Sequence, residues 1–207
     1  MTKKPAENLQ NNAQSTESQA QQDVNVELML KFQAGDADAF NKLVDSNVNT
    51  VHAMVYRFLG DLSHAEDITQ EVFMRVYKNA DRYQPTAKFS TWIYRIVANL
   101  CFNVMRANKK KRTLSLNAND DAQNRIDLPD HKSASPDSGL EQTELQIAVK
   151  KALNELPDNQ KLAIILNKYE NKSYDEIATI MSLSPQAVKS LLSRARNNLK
   201  DKLEKRL

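Results

Sequence analysis

Apolar positions recur at three- and four-residue spacing through most of this chain, broken only at a few glycines, prolines and short polar runs. That spacing gathers a stripe on one side of each helix and predicts an all-α protein. The first helix is expected from near Val24 to Gly35. Asp36 or Asp38 caps a second, which runs toward Leu59 and stops at Gly60. Ser63-His64-Ala65-Glu66 has the form of a capping box, and the helix after it carries Ala65, Ile68, Val72 and Val76 on one stripe. Another helix is expected from about Ser90 to Lys109, with Ile93, Ile96, Val97, Leu100 and Val104 facing inward.

The periodicity fails in two places, and these divide the chain. Residues 1–23 are rich in Gln, Asn, Ser and Thr with little to bury, and read as a disordered polar extension. Residues 113–140 read as a flexible linker between an N-terminal helical domain, 24–112, and a C-terminal one, 141–207. In the second domain Asp158 is placed to cap a helix through Tyr169. Ser173-Tyr174-Asp175-Glu176 then forms a second capping box, opening a helix with Tyr174, Ile177, Ala178 and Met181 inward. Ser182-Leu183-Ser184 makes a turn, Ser184 caps the next helix, and Pro185 takes its first position, where a missing amide proton costs nothing. Leu183 and Val188 are spaced to staple that start. Two short helices about a three-residue turn make a helix-turn-helix.

At 100° per residue the last helix buries Val188, Leu191, Leu192, Ala195 and Leu199, and turns Gln186, Lys189, Ser190, Ser193, Arg194 and Asn197 outward. Those side chains hydrogen-bond base edges in a major groove, while Arg196 and Lys200 flank them within reach of phosphates. An ordinary solvated face has similar residue types, so the weight rests on the coincidence of caps, turn and basic outer surface.

Charge changes the picture further. The net formal charge is only +3, yet between Pro85 and Arg112 there are seven basic residues and no acidic one. They are Lys88, Arg95, Arg106, Lys109, Lys110, Lys111 and Arg112, interleaved with Phe89, Trp92, Tyr94 and Phe102. Cations beside exposed rings suit a surface that holds a phosphate backbone and stacks unpaired bases. Trp92 and Tyr94 serve as braces or as core aromatics, and the buried residues flanking Trp92 favour the core for it. The single cysteine, Cys101, forms no internal disulfide, and a reduced, cytoplasmic setting follows. His52, His64 and His131 lack ligand spacing, no apolar run reaches the ~18 residues of a membrane span, and no nucleophile–base pair or phosphate loop stands out. Neither an enzyme nor a cofactor is expected. A stand-alone helix-turn-helix regulator would account for residues 173–200 but leave the aromatic–basic segment idle.

Three runs carry a family resemblance. They are Asp67-Ile68-Thr69-Gln70-Glu71-Val72-Phe73, then Phe89-Ser90-Thr91-Trp92-Ile93-Tyr94-Arg95-Ile96-Val97-Ala98-Asn99, then Ser173-Tyr174-Asp175-Glu176-Ile177-Ala178 with Val188-Lys189-Ser190 and Arg194-Ala195-Arg196. In this order they resemble the extracytoplasmic-function sigma factors of bacterial RNA polymerase, in particular the envelope-stress branch. The resemblance implies an initiation subunit that binds core RNA polymerase and reads promoter DNA. Asp67, Gln70, Glu71, Met74 and Arg75 would lie on the helix that docks on the polymerase clamp. Lys88, Phe89, Trp92, Arg95, Asn99, Asn103, Arg106 and the Lys109–Arg112 run would belong to the reader of the melted −10 strand. Gln186, Lys189, Ser190, Ser193, Arg194, Arg196, Asn197 and Lys200 would face the −35 element. Ser193, where that branch has a larger side chain, and Leu191, where a basic one is frequent, depart from the pattern. An anti-sigma partner, commonly membrane-anchored, is also implied, with no direct membrane insertion of this chain.

The linker sets a scale. As a free coil its 28 residues average about 30 Å end to end and reach about 95 Å at full stretch. Two sites two duplex turns apart are separated by about 70 Å. The tether spans them only when held extended.

Overall fold

A computed structural model of the chain describes residues 24–116 and 140–204, with side chains of 111–116 and 140–145 left aside. The polar extension 1–23 and most of the expected linker lie outside the described residues. Every regular element within them is helical. The N-terminal module comprises α1 (24–33), α2 (Ala37–Leu59), α3 (Leu62–Lys78), a 3-10 turn (Ala80–Arg82) and α4 (Phe89–Leu116). The C-terminal module comprises α5 (Leu140–Asn154), α6 (Asp158–Lys168), α7 (Tyr174–Met181) and α8 (Pro185–Glu204). No described helix is long and apolar enough to cross a membrane.

The local chemistry explains most boundaries. Asp36 caps α2 by accepting the Asp38 and Ala39 amides, and Gly60 ends it at φ +81°, its N–H donating to Tyr56 O. A left-handed residue at that position is cheap only for glycine. The cap of α3 is Asp61, not Ser63: Asp61 accepts the His64 amide and also pairs with the His64 ring. The capping box expected at Ser63 therefore does not form, because an earlier carboxylate already occupies that role. Similarly Pro157, not Asp158, takes the cap position of α6, and Asp158 lies in its first turn. α4 continues to Leu116, so the stretch expected as linker loses its first four residues to helix.

The N-terminal core is built from Met29, Leu43, Met54, Phe58, Val72, Phe89, Ile93 and Val97, and the C-terminal core from Leu162, Ile165, Leu166, Ile177, Ile180, Val188 and Leu192. These buried sets join in one cluster, because α4 packs on α7 and α2 on α6. Lys161 of α6 is 4 % exposed and plugs the C-terminal end of α2. Its Nζ donates to Phe58 O at 2.5 Å and to Asn154 Oδ1 at 2.6 Å. The carbonyl end of a helix carries partial negative charge, so an ammonium there is electrostatically matched.

Candidate nucleic-acid and polymerase interfaces

The helix-turn-helix is assembled by short-range chemistry. Ser173 Oγ accepts the Glu176 amide at 3.2 Å and Glu176 Oε2 accepts the Ser173 amide at 2.8 Å, completing the expected capping box. Ser182 adopts a left-handed conformation, φ 55°, to close α7. The amide of Ala187 then donates to Ser184 Oγ, capping α8 behind Pro185. Val188, Leu191, Leu192 and Ala195 are buried. Gln186, Lys189, Ser190, Ser193, Arg194, Arg196, Asn197 and Lys200 are all exposed along one side of α8. Asn198 donates to Gln160 Oε1 at 2.8 Å, tying this helix to α6. Tyr174, expected inward, is 36 % exposed instead. Ile177, Ala178 and Ile180 are the buried residues of α7, and the Tyr174 hydroxyl accepts from Arg196 Nη2 at 2.8 Å. It thereby holds a flanking guanidinium across the two helices.

On α4 the exposed side chains Arg95, Asn99, Asn103 and Arg106 recur at helical spacing, followed by exposed Lys109 and Lys110. The side chains of Lys111 and Arg112 lie outside the described residues. One aromatic expectation needs correcting. Phe89 is 0 % exposed, enclosed against Tyr83 and Trp92, so its ring has no face for a base. Tyr94 is buried as well, which is the core alternative of the two open to it. Each begins or follows a turn of α4 that points at the core, and the hydrophobic gain from burying a ring outweighs leaving it in water. Trp92 is half-buried, edge-on to Tyr83 at 5.0 Å.

The open side of Trp92 lines a cleft of about 300 Å³ together with Arg75, Asn79, Arg82, Ile96 and Asn99. Two guanidinium groups and two amides around one aromatic edge offer donors and acceptors to a base, and positive charge to its phosphate. Asn79 and Arg82 were not distinguished by the sequence pattern. They come from the turn between α3 and α4, and only the approach of those helices brings them beside Asn99.

A second surface lies between α2 and α3. Phe40, Val44, Phe73, Gln70, Met74 and Tyr77 line an apolar groove of about 530 Å³. Met74 is 51 % and Tyr77 58 % exposed, and Phe32, Phe40 and Tyr77 stack at 4.8–5.3 Å between ring centres. Asp67 and Gln70 are exposed on the same helix, and Glu71 pairs with Arg75 at 2.7 Å. Exposed sulfur and aromatic groups beside carboxylates suit a protein partner with a basic rim.

A helical protein with a helix-turn-helix in one module and a cationic helix in the other is defined by this geometry, and comparison with known proteins places it. Residues 43–111 match the family described as Sigma-70 region 2, and residues 146–199 the family Sigma-70, region 4. The chain is 32% identical over 186 residues to the ECF RNA polymerase sigma factor SigW of Bacillus subtilis, covering 86% of this chain and 98% of that protein. It is 31% identical over 180 residues to the ECF RNA polymerase sigma-E factor of Escherichia coli K12, covering 86% and 93%. Two solved structures share the fold. The sigma factor RpoE of Bartonella quintana, solved with the anti-sigma factor NepR, gives a TM-score of 0.62 at 24% identity over 80% of this chain and 96% of that one. CnrH, solved with the cytosolic domain of CnrY, gives 0.63 at 21% over 87% and 97%.

The chain belongs to the extracytoplasmic-function (ECF) sigma factors of RNA polymerase. Transcription initiation with promoter recognition is its activity at the level this family defines.

Proposed function

We propose that this chain is an alternative initiation subunit, with no catalytic activity of its own, whose two modules read two promoter elements on one polymerase. Residues 24–112 form the module that docks on core polymerase and reads the −10 strand after melting, and residues 141–207 the module that reads the −35 duplex. The observation that carries this is the pairing of a fully exposed polar face on α8 with the Trp92–Asn99 cleft on α4. The first suits base edges in an intact major groove, the second a base that has left its stack. Extruding a base costs a few kcal/mol, which stacking and amide contacts offset. Asn99 and Asn103 supply paired donor and acceptor groups to such a base, and Arg95, Arg106 and the Lys109–Arg112 run hold the backbone. Asp67, Gln70, Glu71, Met74 and Arg75 make the docking surface, with Tyr77 adding to it.

The setting is cytoplasmic, as core polymerase requires. The solved sigma factor bound to the anti-sigma factor NepR supports a partner of the same kind for this chain, which could be membrane-anchored. Run-off transcription with purified core polymerase on genomic fragments tests the reading. Polymerase-dependent starts are expected, and their absence refutes it. Asp67→Ala combined with Gln70→Ala is expected to abolish co-purification with core polymerase while leaving the helical spectrum intact.

A further inference from the structure

A further concave site lies where α2 meets α5 and α6, away from the α8 face and the Trp92 cleft. A cavity of about 370 Å³ opens there, within the range of about 300–1,000 Å³ usual for small-molecule pockets. Its walls are apolar: Tyr56 from α2, Val149 and Leu153 from α5, and Ile165 and Tyr169 from α6. Asn154 also lines it, and its amide is oriented by accepting from Lys161 Nζ at 2.6 Å.

The charge on this cavity has one sign. Arg57 and Lys150 line it, and among the described lining residues there is no carboxylate. Each cation lies over a wall ring, the Arg57 guanidinium 5.0 Å from the Tyr169 centroid and Lys150 Nζ 5.0 Å from that of Tyr56. Lys150 donates to the Tyr56 hydroxyl at 2.8 Å, which uses one of the three donors of an ammonium. Arg57 donates through Nη1 to Glu170 at 3.1 Å, one of five N–H groups on a guanidinium. Lys150 is exposed and the Arg57 side chain is 39 % exposed, so both keep donors for a bound anion. The α2–α3 groove is apolar too, but it stands beside the carboxylates of Asp67 and Glu71, which repel an anion.

We propose that the α2–α5–α6 cavity binds a small amphiphile with an apolar body and a single anionic head. The body rests against Val149, Leu153 and Ile165, and the head on Arg57 and Lys150. A carboxylate accepts charge-assisted hydrogen bonds from both cations, while the walls remove the body from water. A neutral alcohol of the same shape keeps only the second contribution. The inference goes beyond the initiation reading, and none of its readouts uses polymerase or DNA.

Isothermal titration calorimetry of the free full-length chain tests it, with decanoate as the alkyl probe and naphthoate as the aromatic one, each below its aggregation limit. Saturable one-site binding of at least one acid is expected, and the tighter of the two tells whether the body is a chain or a ring. The matching alcohol, decanol or naphthol, is expected to bind about ten-fold more weakly. Lys150→Glu is expected to weaken the acid by about ten-fold or more and the alcohol little, and Lys150→Arg to retain most of the affinity. Val149→Trp, at a half-buried position, fills the cavity and is expected to abolish binding with helical content unchanged. Met74→Gln, in the α2–α3 groove, is expected to change nothing. Absence of saturable binding by either acid overturns the site. Equal affinity for acid and alcohol, or full affinity in Lys150→Glu, overturns the anionic head. Binding lost in Met74→Gln and kept in Val149→Trp puts the probe in the other groove and overturns this one. Should Val149→Trp lose helical signal, the exposed positions Lys150 and Met74 still decide.

Discussion

Replacing Ser173 probes the point where the helix-turn-helix and the module contact share one residue. Its hydroxyl accepts the Glu176 amide at 3.2 Å, and its own amide donates to Glu176 Oε2 at 2.8 Å. Alanine deletes the first bond, keeps the second and leaves an amide at the start of α7 to be satisfied by water. Loss of a serine cap costs about 1 kcal/mol, within a range of about 0.5–2, whereas glycine at the same place costs a few tenths. One kcal/mol is about five-fold in an opening equilibrium. Native-state hydrogen exchange of the full chain is the matching assay, because it resolves local opening. The amides from Ile177 to Ile180 in Ser173→Ala are expected to exchange about five-fold faster than wild type, with Ser173→Gly between them. The amides of α3, far from this cap, are expected to be unchanged. Equal rates for all three proteins at α7 would show that the box contributes nothing and that packing of Ile177 and Ile180 alone holds the helix.

Further outcomes follow from the same geometry. Burial raises the Glu176 carboxyl, but the Ser173 amide and the Lys88 ammonium outweigh it and hold the pKa below the ordinary 4.5. A carboxylate depressed in the folded state gives stability that is present above about pH 4.5 and lost as pH falls through the lowered value. Denaturant titrations between pH 6 and 3 are expected to show this loss, and Glu176→Gln to flatten it. Phe89→Ala removes a ring that is 0 % exposed and is expected to destabilise the chain by about 3–5 kcal/mol. Trp92→Ala, at a half-buried site, is expected to cost less stability and to weaken open-complex formation, measured by permanganate reactivity of unpaired thymines. In the polymerase-bound state, Arg194→Ala is expected to cost about 1–3 kcal/mol and relax base preference in the −35 duplex. Arg196→Ala is expected to weaken all sequences alike and reduce the salt slope by about one.

The outward face of α8 was legible from sequence because it depends only on helical period. Val188, Leu191, Leu192 and Ala195 fix which side is inward, and all eight expected readers then emerge exposed. The Ser173 box was equally legible, being a contact between residues three apart. Caps with competing neighbours were not. Ser63 and Asp61 both offer an oxygen near the start of α3, and composition alone does not tell which one the chain direction brings to the His64 amide. Phe89 looked like a stacking ring because of the cations around it. Period placed Ile93 and Val97 inward correctly, but it says little about the first turn of α4, where Phe89 closes the core beneath Trp92. The Trp92 cleft depended on Asn79 and Arg82 arriving from another element. The module contact was out of reach altogether, since Tyr94–Glu170 and Arg57–Glu170 join residues 76 and 113 apart in the chain.

What holds the modules together also limits how tightly they hold. Burial lowers the Lys161 pKa to about 8, and the ammonium is hydrogen-bonded to a carbonyl and an amide oxygen, not to a carboxylate. Below pH 8 the packed state keeps this ammonium charged against the cost of desolvation. With the folded pKa below the ordinary 10.5, that cost is present at neutral pH and is lifted only as pH rises from 8 toward 10.5. Lys172 is lowered in the same direction by its own burial. A contact built for maximum stability would place apolar side chains at both positions, since replacing buried charge by well-packed hydrophobes is often neutral or stabilising. Charge instead ties one module to the other through directional hydrogen bonds, Lys161 to Phe58 O and Lys172 to Ser90 Oγ, which set a single docking register.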